Sequence, residues 1–195
     1  MTSDRPNQRP RVAPRALEEL DSETADLLQR NMIGGRVLNI FTTLAHHPDL
    51  MRRWLVFGAH VLQKSTLAPR ERELVILRIG WLCRSEYEWG QHVLIGRDAG
   101  LTDNEIRAIA DGPEAGSWSE LDRLLLRATD ELHSDARISD QTWQALEGHL
   151  STEQLMDLVF AVGQYNLVSM ALNSFGVQRD EGVPGFEETA GRSPG

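Results

Sequence analysis

Helix-start signals recur along this chain while alternating apolar–polar runs are nearly absent, which restricts it to an all-α fold. No Asn-Gly or Asp-Gly lies between two alternating runs, so hairpins are not expected. Pro48 and Pro69 suit the first position of a helix, where the missing N–H costs nothing. Ser85-x-x-Glu88, Thr102-x-x-Glu105 and Ser151-x-x-Gln154 have capping-box spacing, in which hydroxyl and carboxylate or amide satisfy free backbone N–H groups reciprocally. Ser119 or Ser117 opens a segment through His133, and Ser139 one through about His149. A first helix is expected from about Thr24 to Ala45, weakened near Gly34-Gly35. After Pro48, the stripe Leu50, Met51, Trp54, Leu55, Gly58, Val61 and Leu62 turns one helix face to a core. A third segment runs from Pro69 to about Leu82.

Residues 1–16, rich in Arg and Pro, lack apolar periodicity and read as a solvated tail, or as an arm docked on a neighbouring subunit. Residues 17–181 form the helical domain, and Gly/Pro punctuation marks 182–195 as an extended tail. A constant offset lays Leu67–Gly80 over Leu150–Gly163 and places Glu73, Glu88 and His92 on Met156, Ala171 and Phe175. Two related helical units would produce this, the second supplying apolar wall; chance likeness of two amphipathic helices would too.

Composition removes several function classes. A chain of 195 residues buries enough apolar surface to need no staple. A net charge of −9 disfavours nucleic acid and anionic membrane as partners. Nineteen arginines face a single lysine, Lys64, which no GxxxxGK[ST] surrounds; GxGxxG and GxSxG are absent as well. Cys83 is the only cysteine, so neither an intrachain disulfide nor a dithiol pair can form, which fits a reducing cytosol. The longest uncharged apolar run, Leu158–Leu172, is about five residues short of a comfortable span. It also contains Gln164 and Asn166 and reads as a buried helix, so a soluble cytoplasmic protein is expected.

The polar chemistry concentrates between Arg72 and His92. Glu88 and His92 are four apart and share a helix face, where a carboxylate orients an imidazole and raises its basicity. Glu73 stands in a predominantly apolar run, and burial would raise its pKa into the range of a proton carrier. Alternatives stand beside these: Glu88 as the capping partner of Ser85, His92 as a structural residue, Glu73 as complement to its helix N-terminus. A metal site is disfavoured, since no HExxH and no second histidine in register is present. His46 and His47 read as helix-end or loop residues, and His60, His133 and His149 lack notable partners.

RELVILR, YEWGQH, AGLTDNEI, VGQYNLVSMALNSFGV and GVPGF, in that order, resemble the carboxymuconolactone decarboxylase family of the alkyl hydroperoxidase D-like superfamily, from about Asn39 to Phe186. The resemblance implies an all-helical, cofactor-free protein, trimeric or hexameric, with sites near subunit interfaces. The peroxidase branch carries Glu, CxxC and His; by spacing these fall on Glu73, on Ser85 and Glu88, and on His92. Ser and Glu supply neither an attacking nor a resolving thiol, so dithiol peroxide reduction is disfavoured.

Glutamate at position 88 follows the decarboxylase branch, which implies a lyase acting on a small cyclic carboxylic acid or lactone. In that reading His92 donates the proton, Glu88 orients it and Glu73 acts in a relay. The helix N-terminus at Ser85 offers an anion site and Arg78 or Arg84 grips a carboxylate. Tyr87, Trp89 and Trp81 wall the substrate, and Tyr165 adds a hydroxyl. A lactone hydrolase or isomerase on the same scaffold and a non-catalytic binding or stress protein are the alternatives.

Overall fold

The computed structural model describes residues 9–115 and 118–195; residues 1–8 and Ser117 of the expectations above lie outside them. Ten α-helices follow a single 3-10 turn at Leu17–Glu19: α1 Ser22–Arg30, α2 Asn39–Leu44, α3 Pro48–Gln63, α4 Pro69–Leu82 and α5 Glu86–Asp98. The series continues with α6 Asp103–Asp111, α7 Glu120–Asp135, α8 Asp140–Glu147, α9 Thr152–Phe175 and α10 Phe186–Ala190. No strand occurs among the described residues beyond one isolated bridge, Ile33 with Arg36.

That bridge breaks the helix expected over Thr24–Ala45. Gly34 and Gly35 adopt φ of 57° and 78°, left-handed conformations that glycine enters without steric cost, and they reverse the chain between α1 and α2. Pro48 and Pro69 begin α3 and α4 as expected. The Thr102/Glu105 and Ser151/Gln154 boxes close at α6 and α9, and Ser119 and Ser139 cap α7 and α8.

The core forms around α4. Leu74, Val75, Ile76, Leu77 and Ile79 are all fully buried, so this helix is apolar around its whole circumference and must lie inside the bundle. It packs against α5, α6, α7 and α9. Arg78 is the charged residue of that stretch, and it is held on all three nitrogens: Nε and Nη2 donate to both Asp130 oxygens (2.6 and 3.0 Å), and Nη1 donates to the Ile109 and Ala110 carbonyls.

The offset match parts at residue 83. There α4 ends and the chain turns through Arg84 (φ 54°), whereas α9 continues as one helix to Phe175. Met156 is 56% exposed, while Ala171 and Phe175 help line an apolar cavity of about 100 Å³ with Ile40, Leu44 and Trp54. At 24 residues α9 is longer than its uncharged run and apolar enough to cross a membrane; half of the apolar window is buried inside the protein.

Both expected tails are docked where they are described. Arg11 and Val12 donate backbone N–H groups to the Phe175 carbonyl, and the Arg15 N–H bonds Thr42 O. The C-terminal stretch is not extended, because it contains α10. Phe186 and Thr189 are buried, Trp89 Nε1 donates to Thr189 Oγ1 (2.7 Å), and Phe186 packs edge-on against Trp81 at 5.2 Å. The two aromatics and the polar stitch supply what a Gly/Pro-rich segment lacks in propensity.

Candidate active site

The turn between α4 and α5 brings Glu73, Glu88 and His92 together. Gly80 O accepts the Ser85 N–H and Trp81 O the Arg84 N–H, closing α4 tightly so that α5 folds back along it. Ser85 ends as the N-cap of α5 without a side-chain cap bond, and its hydroxyl is sealed from solvent with no partner. The expected Ser85/Glu88 capping box is therefore absent. Glu88 turns inward to His92 instead, and that settles the first of the open alternatives.

His92 Nδ1 bonds Glu73 Oε2 at 2.6 Å, and Nε2 lies 2.9 Å from Glu88 Oε1. Glu73 Oε1 in turn takes Arg72 Nε at 3.1 Å. A neutral imidazole has one N–H, so it can face only one carboxylate with a donor; two carboxylates on the two nitrogens require a second proton on the ring or its partners. Burial alone would push the His92 pKa down. The charge and hydrogen bond of Glu73, with those of Glu88, overcome it and raise the pKa to about 10. The two carboxylates thus favour the protonated ring, and Glu73, expected in a relay, bonds it directly.

Tyr165, from α9, stands edge-on to this ring with centroids 4.7 Å apart. Its hydroxyl makes no hydrogen bond among the described residues and is not among the sealed polar atoms. Burial and the nearby Glu88 and Glu73 carboxylates keep it protonated far above the ordinary tyrosine range. Glu88 Oε2 is likewise unbonded and unsealed. The open edge of the cluster thus presents one carboxylate oxygen and one phenolic O–H, backed by an imidazolium. Among the described residues no group of three or more His, Cys, Asp or Glu is arranged to hold a metal.

The other expected site residues lie elsewhere. Arg78 is buried and held on all three nitrogens by Asp130 and two carbonyls, so its charge is already answered by Asp130. Arg84 is exposed and lines a groove of about 1130 Å³ beside the C-terminal segment, as does Tyr87. Tyr87 donates to Asp180 Oδ2 (2.6 Å) and accepts the Ile40 N–H (3.3 Å), tying the chain ends together. Trp89 is completely buried against Trp81 and Phe186, so it belongs to the core and walls no substrate. Ser85 is fully buried, which closes the anion site expected at its helix end.

Cys83 Sγ donates to Asn166 Oδ1 at 3.0 Å, and burial pushes the thiol up to about 11, so it is no thiolate at neutral pH. Sequence reasoning missed Arg72, whose side chain returns along the first turn of α4. The adjacent Arg-Glu pair was the available signal.

A buried Glu–His–Glu cluster thus lies at the junction of two core helices in an all-helical bundle. Residues 48–131, which span α3 to most of α7, match the model of the carboxymuconolactone decarboxylase family. Three solved structures share the fold. An uncharacterized peroxidase-related protein from Ralstonia eutropha JMP134 with an AhpD core superposes with a TM-score of 0.80 at 18% identity, covering 95% of this chain and 98% of that one. A protein of unknown function from Agrobacterium tumefaciens gives 0.66 at 23% identity, over 70% and 94%. The debrominase Bmp8 in complex with 2,3,4-tribromopyrrole gives 0.71 at 13% identity, over 87% and 91%. No curated protein matches the chain.

Proposed function

We propose that the protein is a cofactor-free enzyme that moves a proton on a small cyclic lactone or related cyclic acid. The observation that supports this best is that His92 has Glu88 on one nitrogen and Tyr165 against its ring, with a Glu88 oxygen and the Tyr165 hydroxyl unbonded among the described residues. Glu88 Oε2 takes a proton from a carbon made acidic by the ring carbonyl. The electron pair delocalises onto that carbonyl oxygen, where the Tyr165 O–H stabilises it by a hydrogen bond. Glu88, now a carboxylic acid, returns the proton to carbon. His92 holds Glu88 by its 2.9 Å contact and offsets its charge, and Glu73 fixes the opposite ring nitrogen. In this reading His92 is a positioning residue, whereas in the decarboxylase reading it is the proton donor.

Loss of carbon dioxide is the second reading, favoured by the family. There the same dienolate forms by C–C cleavage, carbon dioxide leaves, and the extra proton held along His92 and Glu88 passes to carbon. Incubation with 4-carboxymuconolactone and with an unsubstituted butenolide in D2O separates the two. Carbon dioxide from the first marks a lyase, and deuterium in the second without it marks an isomerase-type proton transfer. Failure of both overturns enzymatic proton transfer on this substrate class.

Self-association is proposed as well. Val56, Phe57, Met156, Phe160, Leu167 and Met170 on α3 and α9 are exposed, and Phe57 meets Phe160 edge-on at 6.1 Å, so the two helices present one apolar face.

A further inference from the structure

The structure assigns this site an uncharged ligand, a narrowing that rests on the proton-transfer reading above. The charges of the cluster already sum to zero: Glu73 and Glu88 contribute two negative charges, and Arg72 with the one extra proton on the His92 hydrogen bonds contributes two positive. That sum does not depend on which atom along Glu73–His92–Glu88 carries the proton.

Among the described residues no unpaired cation is placed at the open edge. Arg78 is bound to Asp130 and two carbonyls, and Arg70 is held by Asp122 and Glu105. Arg84, which carries no ion pair among the described residues, lines the groove beside residues 176–194, and that groove includes none of the three cluster residues. The N-terminus of α5 offers partial positive charge, but Glu86 and Glu88 in its first turn already answer it.

At the edge itself the nearest groups are a carboxylate oxygen and a phenol whose acidity is suppressed by Glu88 and Glu73 and only partly restored by Arg72. A ligand carboxylate placed there meets net repulsion in a poorly solvated setting. Taking about 5 Å to the Glu88 charge, about 8 Å to the His92 proton behind it and an effective dielectric of about 20, the discrimination is roughly tenfold. A neutral lactone, whose carbonyl oxygen needs only the Tyr165 hydrogen bond, carries no such penalty. A site of this kind takes isomerisation of a neutral ring ahead of cleavage of an ionised carboxylate.

The test is a pair of ligands differing in charge alone: a butenolide carboxylate and its methyl ester, titrated calorimetrically into the full chain near neutral pH. The ester is expected to bind about tenfold more tightly. Glu88→Gln, which removes one negative charge, is expected to abolish or reverse the preference. Arg72→Met, which removes one positive charge, is expected to widen it, so the trend stays readable if one variant fails to fold.

Equal or tighter binding of the carboxylate by the wild-type chain overturns the inference, as does binding of neither compound. Preference for the ester with no deuterium exchange into it sinks the proton-transfer reading instead and leaves the charge assignment standing.

Discussion

Raising the pH should weaken the fold specifically through His92. In the folded chain the ring's pKa is about 10, against about 6.5 when unfolded, because two carboxylates grip it. A raised pKa means that the folded state binds the proton more tightly. The associated stability is therefore complete below about pH 6.5 and is lost as pH climbs through the interval to about 10. Each tenfold gain in proton affinity on folding is worth about 1.4 kcal/mol, so the loss between about pH 6 and pH 9.5 approaches 4 kcal/mol.

That is a large fraction of the stability of an ordinary domain. Urea unfolding at several pH values across this range measures it, with His92→Gln as the control that removes the titrating group. The wild type should show the downward slope and the variant should not, whatever its own absolute stability. A flat wild-type profile, or the same slope in both proteins, would show that His92 is not held as an imidazolium.

Three further outcomes follow from the packing. Glu73→Gln removes the buried charge shared by Arg72 and His92 and should cost about 3–5 kcal/mol in denaturant unfolding, the usual effect of leaving a buried ion unpaired. Gly90→Ala puts a Cβ 2.3 Å from Pro184 O and 2.7 Å from Val183 Cγ1. The C-terminal segment must shift, which limited proteolysis should register as new cleavage after residue 180. Ser85→Ala should be neutral or slightly stabilising on a thermal melt, because its hydroxyl is buried with no partner to lose.

The all-α class and most helix starts were legible because capping and proline rules act over three or four residues, as at Thr102/Glu105 and Pro69. Glu88 and His92 were legible for the same local reason, being one helical turn apart. What escaped was tertiary. Ser85-x-x-Glu88 has the spacing of a capping box, yet a buried imidazolium holds the carboxylate more strongly than a backbone N–H does.

Arg78 looked available for a substrate, and only the fold reveals Asp130, fifty-two residues on, as its partner. Trp89 at helical spacing could face pocket or core, and α10, which decides for the core, forms from a segment whose Gly and Pro content signals a loop. Tyr165 reaches His92 through α9, a pairing that no local pattern encodes.

Deuterium uptake from D2O into an unsubstituted butenolide, followed by proton NMR with wild type and Glu88→Gln side by side, tests the central claim most directly. Incorporation at the carbon conjugated to the lactone carbonyl by the wild type, lost in a Glu88→Gln protein that still melts cooperatively, is the expected result. Exchange that persists in the variant, or none above the buffer rate in the wild type, would contradict the assignment of Glu88 as the base.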